Sequence, residues 1–165
     1  MGVPGTITSD AHEGMKKALT CVFSGVPWQR CQFHLQQNAM AYVPKIEMKS
    51  QVASDIRQIF NSTDRMSAQV LLEASSKRYE KSAPQFSEWL LSNIPEGLTV
   101  QNFPEDIRRK LRTFNMMENI NRQIKRRTKV ACLFPNINSI LRLVSAIIQQ
   151  ISDEWETGRV YILRN

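Results

Sequence analysis

Cysteine is scarce in this 165-residue sequence, with only Cys21, Cys31 and Cys132. Three such scattered thiols cannot staple a small secreted fold, and they favour a reducing, cytosolic setting. Histidine is scarcer still, limited to His12 and His34. Glycine occurs six times and nowhere builds a phosphate-cradling loop. No run approaches the roughly 18 apolar residues of a membrane helix. The opening MGVPGTITSD also lacks the basic-then-apolar layout of a secretion signal. A membrane partner is therefore not expected. Apolar residues make up 42% of the chain, slightly lean yet enough for a core and unlike a disordered composition. At roughly 100–200 residues per domain, this is one domain's worth of chain or a piece of a larger one.

Charge is present and unevenly placed. The formal balance is +7, from 22 Lys+Arg against 15 Asp+Glu. Nine of the basic residues fall between positions 108 and 129: Arg108, Arg109, Lys110, Arg112, Arg122, Lys125, Arg126, Arg127 and Lys129. Glu118 is the lone acid there, and the remainder of the chain is close to neutral. A stripe this concentrated points to a polyanion, most often nucleic acid. A solvated helix face is the competing reading.

The opening pattern predicts strand, helix, strand. Val3 to Thr8 is β-prone, and Met15, Ala18, Leu19 and Val22 recur at helical spacing over about Ala11–Val22. Trp28 to His34 alternates large and polar residues as a half-buried strand does. From about Gln36 the character turns helical. One helix carries Val52, Ile56, Ile59 and Phe60 on a face. A second, about Asp64–Lys81, is expected to turn Met66, Val70 and Leu71 inward. A third is expected to begin with a Ser82/Gln85 capping box around Pro84, to bury Phe86, Trp89, Leu90 and Ile94, and to end at Pro95-Glu96-Gly97. The basic segment predicts a helix over about Arg112–Arg127, with Phe114, Met117, Ile120 and Ile124 along one side. Ile137 through Trp155 reads as an amphipathic helix of about five turns, its stripe read as core packing.

Three sets of residues are candidates for chemistry. Asp10 follows the first strand, where a carboxylate suits metal ligation or base work; it, or Ser9, equally suits an N-cap. Glu118 sits among amides and cations, where it could hold a divalent cation beside phosphates or simply pair with Arg122. His12, Cys21, Cys31 and His34 are zinc-ligand types, but their spacing fits no usual zinc module. A Cys/His nucleophile lacks the surrounding elements of a triad.

Taken together, Ser9-Asp10-Ala11-His12-Glu13-Gly14, Trp28-Gln29-Arg30-Cys31-Gln32-Phe33-His34, Asn115 to Thr128, Phe134-Pro135-Asn136 and Leu141-Arg142-Leu143 resemble the Mutator-type transposases of bacterial insertion sequences. The similarity spans nearly the whole chain. It implies an α/β, mostly helical fold: an incomplete ribonuclease H-like core interrupted by an all-helical insertion. Residues 1–35 would be core, 36–107 the insertion, and 108–165 the C-terminal core helices with the basic stripe.

In such a family three carboxylates bind two divalent metal ions, Mg²⁺ or Mn²⁺. The resemblance makes Asp10 the second and Glu118 the third, both metal ligands and catalytic. Cys31 and His34 match a Cys-x-x-His signature near the active site, with no zinc expected. Arg122, Lys125, Arg126, Arg127 and Lys129 would face DNA, both element ends and target. The implied activity is metal-dependent cleavage and strand transfer, with self-association in the intact enzyme and a bacterial cytoplasmic, nucleoid-associated setting. No Asp precedes Asp10 in this sequence, so the expectation is a transposase fragment that is inactive by itself, through a truncated gene or a mis-started reading frame. The alternatives are a catalytically inactive DNA- or partner-binding remnant that modulates a full-length transposase, and a zinc-containing helical interaction domain.

Overall fold

The computed structural model describes residues 5–113, 115–131 and 134–157, without the side chains of Asn115, Met116 and Ala131. Val3, Pro4, Phe114 and Cys132, named above, lie outside the described residues.

A βαβ unit opens the chain. Strands β1 (Ile7–Ser9) and β2 (Trp28–Arg30) pair in parallel, Ile7 opposite Trp28 and Ser9 opposite Arg30. Helix α1 (Glu13–Val22) makes the crossover that parallel pairing demands. Gly25, at φ 84°, supplies the left-handed turn that returns the chain to β2. Helix α1 starts two residues later than expected, and its N-cap position is His12. Ser9 and Asp10 therefore do not cap it. Its apolar face is not packed away either: Met15 is 46% and Val22 70% exposed.

The strand expected to reach His34 stops at Arg30. Cys31 takes the N-cap position of helix α2 (Gln32–Ala39). Two periods overlap in this stretch, and the helical one prevails after Arg30. Cys31, Leu35 and Ala39 recur every fourth residue and are all essentially buried.

Helices α3 (Ile46–Phe60), α4 (Arg65–Tyr79) and α5 (Pro84–Asn93) build the main core. Helix α3 buries Val52, Ile56, Ile59 and Phe60, as their spacing predicts. Helix α4 is present but faces the other way. Met66 is 80% and Val70 60% exposed, and Leu71 is exposed too, while Ala68, Leu72, Ser75, Ser76 and Tyr79 turn inward. The small residues let α4 and α5 approach closely. The Ser76 and Ser87 hydroxyls lie 2.7 Å apart, and the Ser87 hydroxyl also donates to the Ser76 carbonyl at 2.8 Å. Asp64 caps α4 by accepting from the Ser67 N–H at 2.8 Å, and that bond holds its carboxyl below the ordinary range. The Ser82/Gln85 capping box does not form. Helix α5 starts with Pro84 in its first turn and Ala83 at the N-cap, because proline presets the helical φ without needing a side-chain cap. It ends before a 3₁₀ turn, Ile94–Gly97, where proline and glycine stand.

Between α3 and α4 the buried Asp55 carboxylate anchors an ionic cluster that reaches the surface through Arg78. Asp55, 4% exposed, accepts from the Tyr79 hydroxyl at 2.7 Å, from Arg78 Nη1 at 2.9 Å and from Gln51 at 2.9 Å. Burial, together with the bond to Asp55, pushes the Tyr79 phenol up to about 12.

Two compact units divide the chain, residues 1–113 and 114–165. The first includes helix α6 (Glu105–Leu111). The second contains helices α7 (Asn115–Ala131) and α8 (Ile137–Thr157), which pack on each other. The helix expected from Arg112 thus starts three residues later. Of the long apolar stripe on α8, Ile147 and Ile151 are buried, whereas Ile137, Leu141 and Ile148 are at least half exposed. Core packing therefore accounts for only part of that stripe. Among the described residues no helix is long and apolar enough to cross a membrane.

Candidate metal-ligand positions and nucleic-acid interface

A parallel βαβ unit gathers the residues that follow its strands along one sheet edge. Asp10 follows β1 and Cys31 follows β2, and the Cys31 N–H donates to the Ser9 carbonyl at 2.9 Å. Asp10 is exposed. Among the described residues its carboxylate takes one hydrogen bond, from the adjacent Ala11 N–H to Oδ1 at 2.8 Å. Ser9 points elsewhere: its hydroxyl donates to the Asp10 carbonyl and accepts from Trp28 Nε1, each at 2.8 Å.

Cys31 is buried at 1% exposure, and His34 is half-buried in the first turn of α2, its ring edge-on to Phe33. The two sit one helical turn apart at a helix start, not on a strand as their alternation predicts. Cys21 lies exposed on α1. His12, Cys21, Cys31 and His34 are not brought together; among the described residues no three His, Cys, Asp or Glu side chains cluster as metal ligands would.

The stretch around Cys31 has a second role that sequence reasoning missed. Gln29 is fully buried, donating from Nε2 to the Gly97 carbonyl at 2.8 Å and accepting at Oε1 from the Val100 N–H at 2.8 Å. Gln32 Nε2 donates to the same Gly97 carbonyl at 2.8 Å. Arg30, 7% exposed, donates through Nη1 to Glu96 and Asn93 at 2.9 Å each, and Lys16 meets Glu96 at 2.7 Å. These polar residues lock β2 to the turn after α5. The available signal was three long polar side chains in a run otherwise suited to a core, since buried polar groups require partners.

The basic stripe splits in two. Arg108 donates from Nε to the Phe103 carbonyl at 2.7 Å and from Nη1 to the Thr63 carbonyl at 2.6 Å. Arg112 Nη1 donates to Asn61 Oδ1 at 2.8 Å, and its carbonyl accepts from the Gln32 N–H at 2.9 Å. These two cations brace the first unit. On α7, Arg122, Lys125, Arg126 and Lys129 are exposed, and Glu118 is half-buried in the first turn. Arg127 is half-buried and donates to Gln150 Oε1 on α8 at 2.8 Å. Asn119, Arg122, Gln123, Arg126 and Arg127 line a concavity of about 440 Å³.

Residues 2–158 match the family described as Transposase, Mutator family. The chain belongs to that family of transposases. It is 50% identical over 156 residues to the transposase for insertion sequence element IS406 of Burkholderia multivorans, covering 94% of this chain and 40% of that protein. Against the IS1081 transposase of Mycobacterium tuberculosis the identity is 33%, covering 94% and 37% respectively. Against the transposase for IS256 in transposon Tn4001 of Staphylococcus aureus it is 32%, covering 98% and 42%. This member of the Mutator family thus spans about two fifths of the length of the curated relatives it matches.

Proposed function

We propose that this chain forms part of an insertion-element transposase, contributing two of three metal-binding carboxylates and a DNA-holding helix. The observation that carries the reading is the placement of Asp10. Its carboxylate stands exposed at the end of β1 and is not used to cap α1. The strand–helix–strand opening agrees with a ribonuclease H-like core, and α3 to α5 with a helical insertion.

The donor set fits a hard divalent cation better than a soft one. Asp10 and Glu118 offer carboxylate oxygens, which suit Mg²⁺ or Mn²⁺, while the Cys31 thiol is buried, so no zinc is invoked. When bound, such ions lower the pKa of an attacking water and stabilise the leaving oxygen of a phosphodiester. The protein's part would be to offer Asp10 and Glu118 as metal ligands and to hold DNA through Arg122, Lys125, Arg126 and Lys129. Arg127 shares its guanidinium with Gln150 and steadies the α7–α8 pair while facing the same groove. Cys31 and His34 shape the sheet edge beside Asp10. The intact enzyme would self-associate and act on nucleoid DNA in a bacterial cytoplasm.

These 165 residues hold no acidic residue before Asp10, so the chain by itself binds DNA and does not cut it. The test is paired. Mn²⁺ binding is measured by electron paramagnetic resonance for the chain, for Asp10→Asn and for Glu118→Gln, and plasmid nicking is assayed in Mg²⁺ and Mn²⁺. Weaker Mn²⁺ binding in both variants and no nicking are expected. Unchanged binding in both would refute the ligand assignment, and robust nicking would refute the inactivity.

A further inference from the structure

We propose that α7 reads DNA sequence as well as holding the backbone, with Asn119, Arg122, Gln123 and Arg126 contacting base edges in the major groove. This rests on the DNA-binding reading above and deepens it. The four residues fall at i, i+3, i+4 and i+7, which places them within an arc of about 100° on one face of the helix. Helix α7 is 17 residues long, about 25 Å, and a helix of about 10–12 Å diameter fits a major groove about 12 Å wide.

The composition of this face favours base contact in addition to backbone contact. Holding phosphates asks only for cations. Here amides alternate with guanidiniums, and these are the two side-chain types that pair bidentately with base edges: Asn or Gln with adenine, Arg with guanine. Arg122 already donates from Nη2 to Asn119 Oδ1 at 3.2 Å, so the two are aligned side by side on adjacent turns. Asn119, Arg122 and Arg126 are exposed and Gln123 half-exposed along the 440 Å³ concavity. Lys125 lies about 60° further round the helix, flanking the face where a groove wall would carry phosphates. Its ammonium, a point charge, suits that task. Arg127 is held by Gln150 and is not assigned a base.

The experiment is a selection from a random-sequence DNA duplex pool with the whole 165-residue chain, repeated with Asn119→Ala plus Gln123→Ala and with Lys125→Ala. Alanine favours helix at exposed positions, so the variants keep α7; circular dichroism verifies this. The expected result is an enriched short motif containing adenine and guanine. In the double variant the adenine preference should fall by about tenfold for each bidentate pair lost. Lys125→Ala should weaken binding to all sequences alike and reduce the salt slope by about one. Salt-dependent binding without an enriched motif, or a motif that survives the double variant, overturns base reading and leaves the DNA-binding reading standing. No binding to the pool at low salt overturns both.

Discussion

The side-chain amide of Gln29 donates to the carbonyl oxygen of Gly97 at 2.8 Å across 68 residues of sequence, with Gln29 fully buried. The same side chain accepts from the Val100 N–H. Gln29→Leu keeps the volume and removes these bonds together with the one from Nε2 to the Arg30 carbonyl, stranding a buried backbone donor at Val100. The expected loss is about 1–3 kcal/mol for that group, read from a urea midpoint. An unchanged midpoint would mean that water replaces the amide.

Gly97 itself leaves little room for a side chain. A Cβ there would stand 2.6 Å from Leu35 Cδ1 and 3.1 Å from the Phe60 ring, both in the core. Gly97→Ala should therefore cost about 1–3 kcal/mol through overpacking. A thermal melt at wild-type temperature would show that Leu35 can repack.

Tyr79 gives the core a pH limit. Its phenol is raised from 10.0 to about 12, so the folded state favours the neutral form. That contribution is complete below pH 10 and is lost as pH rises through 12. Denaturation followed between pH 9 and about 12 should show a steeper decline for the wild type than for Tyr79→Phe. Identical slopes would remove Tyr79 from the account.

The two halves of the basic stretch should separate experimentally. Arg108→Ala breaks bonds to Phe103 and Thr63, so it should lower the melting temperature and leave the salt dependence of DNA binding unchanged. Lys125→Ala, on the exposed face of α7, should do the reverse. A salt slope altered equally by both would return them to a single DNA-binding stripe.

Asp10→Ala probes whether the carboxylate is structural. With His12 at the N-cap position of α1, stability should stay within about 0.5 kcal/mol of wild type. A larger drop in the urea midpoint would give Asp10 a scaffold role.

The sequence made some of this visible and concealed the rest for physical reasons. The α3 face was legible because Val52, Ile56, Ile59 and Phe60 are large and helically spaced. The α4 face was not, because what it buries is mostly small: Ala68, Ser75 and Ser76 carry little hydrophobic signal, while exposed Met66 and Val70 carry much. The end of β2 was hidden by overlapping periods, Trp28/Arg30 at two and Cys31/Leu35/Ala39 at four. The basic stripe looked continuous because charge counts ignore partners, and carbonyls around Phe103 and Thr63 had already claimed Arg108. The exposed position of Asp10 after β1 could be anticipated, since an apolar β-prone run followed by Asp is readable directly. Whether that Asp caps a helix depended on two residues of helix phase.

The lock between β2 and the turn after α5 also sets the direction in which the sheet can be enlarged. The Trp28 carbonyl accepts from the Thr99 hydroxyl, the Arg30 carbonyl from Gln29, and the Gln32 N–H is spent on Arg112. The outer carbonyls of β2, at Trp28 and Arg30, are therefore already engaged, which disfavours a third strand on that flank. The freer flank for a strand that widens this sheet is the one alongside β1, the strand that delivers Asp10.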